Sequence, residues 1–151
     1  MKYLINLYKP LGQTPLETIL AFKQKNPSYK DKKMSYAGRL DPMAEGVLLV
    51  LVGDENKKIN NYLKSNKQYI AEILFGLSSD THDILGIAKR GKIKSNEINL
   101  KELKNKIRNF EGQYNQKIPE YSSYKIKGKP MFYYARKNQK IEEIRKNVII
   151  K

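Results

Sequence analysis

Tyr36-Ala37-Gly38-Arg39-Leu40-Asp41-Pro42-Met43-Ala44-Glu45-Gly46, running directly into Val47-Leu48-Leu49-Val50-Leu51-Val52, is the stretch from which the rest of the chain is read. The six apolar residues predict a buried strand. Pro42 disfavours the α region for the residue before it, so Asp41 is held extended. Gly38 and Gly46 bracket the segment and allow backbone shapes that a Cβ resists. The expected product is a stiff loop presenting one carboxylate beside a buried strand. On these residues alone, Asp41-Pro42 reads equally well as a simple turn.

Outward from that loop, the composition narrows the choices. The 151 residues suit one domain of ordinary size. Thirty Lys and Arg against fifteen Asp and Glu give a formal net charge of +15, a field that attracts polyanions, nucleic acid first. Part of that excess also reads as lysine-rich surface solvation, since no arginine-dense tract stands out. There is no cysteine, which excludes a disulfide framework and thiolate chemistry, and His82 is the only histidine, which argues against a Cys/His zinc site. No apolar run is long enough to span a bilayer and no charged-then-apolar leader opens the chain. The cytoplasm is the expected compartment, without membrane or metal.

Before the loop, Tyr3 to Tyr8 reads as a short strand ending at Lys9-Pro10-Leu11-Gly12. Thr14-Pro15-Leu16-Glu17 reads as a helix start, with Thr14 as N-cap, Pro15 in the first helical position and Glu17 completing a capping box. Leu16, Ile19, Leu20 and the stem of Lys23 fall on one face of a helix reaching about Lys25, stopped by Asn26-Pro27. Residues 26–35 read as a polar loop whose Lys30, Lys32 and Lys33 are either phosphate contacts or ordinary solvated lysines.

Beyond the loop, Ile59, Tyr62 and Leu63 have helical spacing, and Gln68 to Phe75 alternates as a strand. Residues 78–83 form a polar turn, and residues 84–93 read as a weak strand or hairpin turning at Arg90-Gly91. Asn99 caps a helix with an apolar stripe of Leu100, Leu103, Ile107 and Phe110. Gly128-Lys129-Pro130 opens a short helix through Arg136, and Val148 to Ile150 reads as a last strand. The irregular interleaving predicts an α+β fold with a mixed, largely antiparallel sheet and flanking helices.

Several of these segments resemble one family. Gly38-Arg39-Leu40-Asp41-Pro42-Met43-Ala44-Glu45-Gly46-Val47-Leu48 resembles the catalytic motif of pseudouridine synthases, and looks most like the tRNA pseudouridine synthase B family. Lys9-Pro10-Leu11-Gly12 resembles that family's N-terminal Lys-Pro-x-Gly motif. Lys67-Gln68-Tyr69 is similar to the strand that brings in the active-site tyrosine. Ser79-Asp80-Thr81-His82-Asp83 with Gly86 resembles the aspartate-bearing turn that follows. Residues 116–125 and 128–136 resemble the segments reading Ile-Pro, Tyr-Ser and Tyr-Ala-Arg. The likeness runs in order from Tyr3 to the last strand. Two positions depart from it: Tyr36 stands where the family commonly has histidine, and Arg39 where it often has a small residue. Gly-Arg-Leu-Asp is closer to the ribosomal-RNA pseudouridine synthases, in which that arginine helps displace the base.

The resemblance implies a tRNA pseudouridine synthase acting on a uridine of the TΨC stem-loop. The bond from N1 to the ribose breaks, the base turns, and C5 rejoins the sugar. The reaction involves no net redox change, so no cofactor is implied. Asp41 would be the catalytic carboxylate and Tyr69 would stack on the flipped base. Asp83 would hold the base or simply order its loop. Tyr36 would contribute to the base-flipping surface or simply pack at the loop edge, Arg39 would face the RNA, and Lys9 would support the loop. Lys125, Lys127 and Lys129 are candidate phosphate contacts.

The family's catalytic domain continues past the equivalent of Ile150. That continuation includes a Lys-Gly-x-Tyr-Ile-Arg segment whose arginine pairs with the catalytic carboxylate. Residues 1–151 therefore read as the N-terminal part of an incomplete catalytic domain, without the C-terminal PUA-type RNA-binding domain. A second polypeptide is a candidate for completing the fold, and Arg39 is the nearby candidate to replace the missing arginine. A non-catalytic RNA-binding remnant and a ribosomal-RNA pseudouridine synthase are the competing readings.

Overall fold

In the computed structural model, which describes residues 3–91 and 98–151, the apolar run after Gly46 forms the central strand of a three-stranded antiparallel sheet. Strand β1 (Leu4–Lys9) lies on one side of β3 (Gly46–Val52), with Leu4 opposite Leu51 and Lys9 opposite Gly46. Strand β2 (Met34–Ala37) lies on the other side, with Met34 opposite Val52 and Ala37 opposite Leu49. Having a partner on each side satisfies the ladder groups of β3, and Leu48, Val50, Leu51 and Val52 lose nearly all contact with water. Burying each such side chain contributes roughly 1.5–3 kcal/mol.

Helix α1 (Pro15–Lys25) covers this sheet through Ile19, which clusters with Leu48 and Val50 and is flanked by Ile5, Leu7, Met34 and Tyr36. Its capping box forms as the sequence predicts: Thr14 Oγ1 accepts from the Glu17 N–H at 3.3 Å, and Glu17 Oε2 accepts from the Thr14 N–H at 2.7 Å. The buried face differs from the expected one. Pro15, Thr18 and Ile19 face inward, whereas Leu16 and Leu20 stay exposed. The sheet meets the helix along the Pro15–Ile19 edge and stops short of the leucines. Lys23 folds back and donates to the Lys32 carbonyl at 2.7 Å. Helix α2 (Ile59–Leu63) forms where the helical spacing placed it.

The chain divides into two compact units, Met1–Ala71 and Glu72–Lys151. The second unit is assembled from smaller pieces. Strands β4 (Leu77–Ser79) and β5 (Ala88–Arg90) form a hairpin. Helix α3 (Leu100–Arg108) is capped by Asn99 Oδ1, which accepts from the Lys101 and Glu102 N–H groups. Strand β6 (Gly112–Lys117) pairs with β9 (Arg145–Ile150), the expected last strand. A two-residue pairing of β7 (Lys125–Ile126) with β8 (Lys129–Pro130) leads into helix α4 (Met131–Ala135).

The class is α+β and every strand pairing described is antiparallel, divided among four small sheets. Three local expectations change. Residues 68–74 are irregular rather than a strand, because no partner strand completes their ladder among the described residues; Ile70 is 98% exposed. The expected polar loop at 26–35 gives up Met34 and Ser35 to β2, where β3 supplies the pairing. The hairpin near residue 90 turns within residues 80–87 instead of at Arg90-Gly91, and the part of that expectation at 92–93 lies outside the described residues. No helix of the described residues is long and apolar enough to cross a membrane.

Candidate active site

The Asp41 loop joins β2 to β3 and is bracketed by Gly38 and Gly46, whose φ values of 85° and 130° lie where side chains with a Cβ are strained. It is tied down from outside. Pro42 O accepts from the Gly12 N–H at 2.8 Å and from Lys9 Nζ at 3.3 Å. Lys9 is 0% exposed, and its ammonium also donates to the carbonyls of Pro10 at 3.0 Å and Gln13 at 2.7 Å. One buried cation thus binds the Lys-Pro-Leu-Gly turn and the Asp41 loop together. Charged hydrogen bonds of this kind are stronger than neutral ones. Burial pushes the Lys9 pKa down, and the negative fields of Asp41, Glu45 and Glu17 oppose that shift.

Within the loop, the Ala44 N–H donates to Asp41 O at 3.0 Å, closing a turn. At its far end, the Tyr8 phenol donates to Glu45 Oε2 at 2.6 Å. That bond, then desolvation and the Glu45 charge, holds the Tyr8 pKa above its ordinary value. The Asp41 carboxylate itself is exposed. Lys9 is a cation close enough to feel the Asp41 charge, in addition to Arg39, the candidate the sequence offered to replace the arginine.

Beside the loop lies a cleft of about 420 Å³. Arg39, Leu40 and Glu45 line it from the loop, Tyr62 from α2, and Lys67 and Tyr69 from the irregular segment that follows. The structure brings Arg39 and Tyr69 to one cleft, with Asp41 on the loop between lining residues Leu40 and Glu45. Tyr69 is 69% exposed, so its ring is free to meet a ligand. Lys67 is anchored by donating to the Leu63 and Ser65 carbonyls, each at 2.9 Å.

Asp41, Lys9 and Tyr36 are not among the residues that line this cleft. Tyr36 packs against the Ile19–Leu48–Val50 cluster and is absent from the cleft lining. Asp83 belongs to the second unit, where its Oδ1 accepts from the Thr81 hydroxyl at 2.6 Å and the Leu85 N–H at 2.9 Å. Asp83 orders its turn through those bonds. Glu45 and Tyr62 were missed as cleft residues. Glu45 sits inside the motif and was legible by proximity, whereas Tyr62 reaches the cleft only because α2 folds against β2.

A carboxylate on a proline-stiffened loop thus stands beside a cleft lined by a cation and an open aromatic ring. Comparison supplies the family. Residues 25–151 match the model described as TruB family pseudouridylate synthase (N terminal domain), and the chain belongs to that family. It is 33% identical over 150 residues to a tRNA pseudouridine synthase B of Limosilactobacillus reuteri, covering 99% of this chain and 49% of the relative. Against the protein of the same name from Malacoplasma penetrans, identity is 38% over 123 residues, covering 81% and 52%. Against that from Fusobacterium nucleatum it is 34% over 152 residues, covering 99% and 50%. The chain spans about half the length of the curated relatives it matches.

Proposed function

We propose that this chain is the N-terminal part of the catalytic domain of a cytoplasmic tRNA pseudouridine synthase, acting on a uridine of the TΨC stem-loop with Asp41 as its catalytic carboxylate. The observation that carries the reading is the Asp41 loop itself, held by Lys9 and Gly12 at Pro42 and opening onto the cleft of Arg39 and Tyr69. Family membership and the names of the relatives support the reaction class. Tyr69 stacks on the extruded uracil, a use for which an exposed aromatic face is suited. Arg39 occupies the place the base leaves. In the reaction the C1′–N1 bond breaks, a C1′–C5 bond forms, the C5 proton goes to solvent and N1 takes up a proton from solvent.

Release of tritium from tRNA transcripts carrying [5-³H]uridine tests the reading. Wild type is expected to release label and Asp41→Ala to release none. RNA binding without release by either protein would overturn catalysis in favour of a binding module. Greater turnover of ribosomal-RNA fragments than of tRNA would transfer the substrate assignment.

The exposed Ile70, Ile73 and Leu74 support a second component. In that reading, a polypeptide supplying the unmatched half of the relatives covers them. Activity that arises only on mixing with the C-terminal half of the Limosilactobacillus reuteri protein is the expected sign. Equal activity with and without that half would remove the need for a partner.

A further inference from the structure

Among the residues that line the cleft beside the Asp41 loop, Glu45 is the one acid, set against Arg39 and Lys67. In a chain of formal net charge +15, a carboxylate at that place works against the attraction of phosphate. Its chemistry suits a hydrogen-bond donor on a base instead.

The sheet fixes where Glu45 stands. Strand β1 pairs with β3 so that Tyr8 lies opposite Val47 and Lys9 opposite Gly46, which sets Tyr8 alongside the residue just before β3. The Tyr8 phenol donates to Glu45 Oε2 at 2.6 Å, a charge-assisted bond that orients the carboxylate. Oε1 has no protein donor, and Glu45 has no ion pair, among the described residues. The same cleft of about 420 Å³ carries the Tyr69 ring, 69% exposed, and the open apolar side chain of Val47. It has room for one pyrimidine between an aromatic face and a free carboxylate oxygen.

A uracil stacked on Tyr69 presents its edge to the side chains around it. On that edge O2 and O4 accept hydrogen bonds and N3–H donates, whereas N3 of cytosine carries a lone pair. An ionised carboxylate only accepts, so Oε1 matches uracil at N3 and opposes cytosine there. Seating the base also strips water from the carboxylate, which makes an unmatched acceptor costlier than it is in solvent.

We infer that Glu45 is the residue by which the cleft tells uracil from cytosine, its Oε1 accepting from uracil N3–H while Tyr8 holds Oε2. The inference rests on the reading of the chain as a pseudouridine synthase and adds to it the group that selects the base. Tyr8 is a positioning residue, acting through Glu45.

The test measures, by fluorescence anisotropy, the binding of labelled TΨC stem-loops carrying uridine, cytidine or N3-methyluridine at the target position. Wild type, Glu45→Gln, Glu45→Ala and Tyr8→Phe are compared, with circular dichroism confirming that each keeps its fold; both altered side chains are exposed. Removing the acid strengthens binding of all three loops alike through charge, so the ratio between loops isolates the hydrogen bond. Wild type is expected to favour the uridine loop over each of the others by at least about tenfold. Both Glu45 variants are expected to bring those ratios to within about twofold. Tyr8→Phe leaves the carboxylate unfixed and is expected to lower the ratios a few-fold. Wild-type ratios in both Glu45 variants, or equal binding of the three loops by wild type, would overturn base selection by Glu45 while leaving RNA binding intact. Unchanged ratios in Tyr8→Phe alone would overturn the part given to Tyr8. Failure of wild type to bind any of the loops would instead defeat the RNA reading, and base selection with it.

Discussion

The two units use similar apolar material to different effect. In the first, β3 has a strand on each side and α1 across one face, and four of its seven residues are buried. In the second, each strand has one partner, and Met131 is the only buried hydrophobic side chain among the described residues. Helix α3 carries a stripe that should seek a core, yet its Leu100 and Ile107, and Phe110 just beyond it, remain exposed. Apolar content does not create a core without a second layer to receive it. A two-stranded hairpin alone is marginal in water, whereas a third strand and a covering helix make the assembly self-supporting. The Asp41 loop is attached to the unit that has both.

That contrast can be broken by experiment. The largest effect is expected in amide hydrogen exchange, with the β3 amides of Leu48 to Val52 protected orders of magnitude longer than those of β4–β5 or β7–β8. Uniform protection would mean that the second unit has a core of its own. Next, Leu48→Ala should cost about 2–5 kcal/mol in urea unfolding. Ile107→Ala, on the exposed face of α3, should change stability by less than about 0.5 kcal/mol. Comparable losses would show that the α3 stripe is covered in solution.

Lys9→Met tests whether the buried ammonium fastens the Asp41 loop. It keeps most of the side-chain volume and removes the donor to three carbonyls, so a loss of about 1–3 kcal/mol is expected. Wild-type stability in this variant would mean that the Gly12–Pro42 bond holds the loop without help.

The smallest effect belongs to the start of α1, where Thr14→Ala should cost about 1 kcal/mol. The Thr14 N–H bond holds the Glu17 carboxyl below its ordinary pKa. A depressed carboxyl stabilises the folded state above its unfolded value, near 4.3, and loses that contribution as pH falls through the folded value. Acid melts of wild type and Glu17→Gln should therefore differ above the unfolded value and converge as pH falls through the folded one. Parallel curves throughout would remove the carboxylate from the account.

Legibility followed sequence distance. The capping box at Thr14, the cap at Asn99, the β3 run and the proline-stiffened turn at Asp41 depend on neighbours within a few residues, and each was read where it occurs. Strand β2 was hidden in a lysine-rich loop because its four residues become a strand only against β3. The 68–75 alternation was read as a strand because alternation signals two faces but cannot announce a partner. For the candidate site, Asp41, Arg39 and Tyr69 stand out by motif; Tyr36 packs against the core and Asp83 bonds within its own turn, the alternatives the sequence leaves open for them.

By itself, then, the sequence determined that residue 41 would be a carboxylate on a restrained loop ahead of a buried strand, because Pro42 and the flanking glycines act on the backbone directly. Only the tertiary structure decided that Lys9 would lie buried beneath that loop, thirty-three residues from the carbonyl of Pro42 that it holds. It also decided which leucines of α1 would be left in water, and that Arg39 and Tyr69 would share a cleft. Burial and pairing depend on which distant segment arrives to exclude water, and no local pattern encodes that arrival.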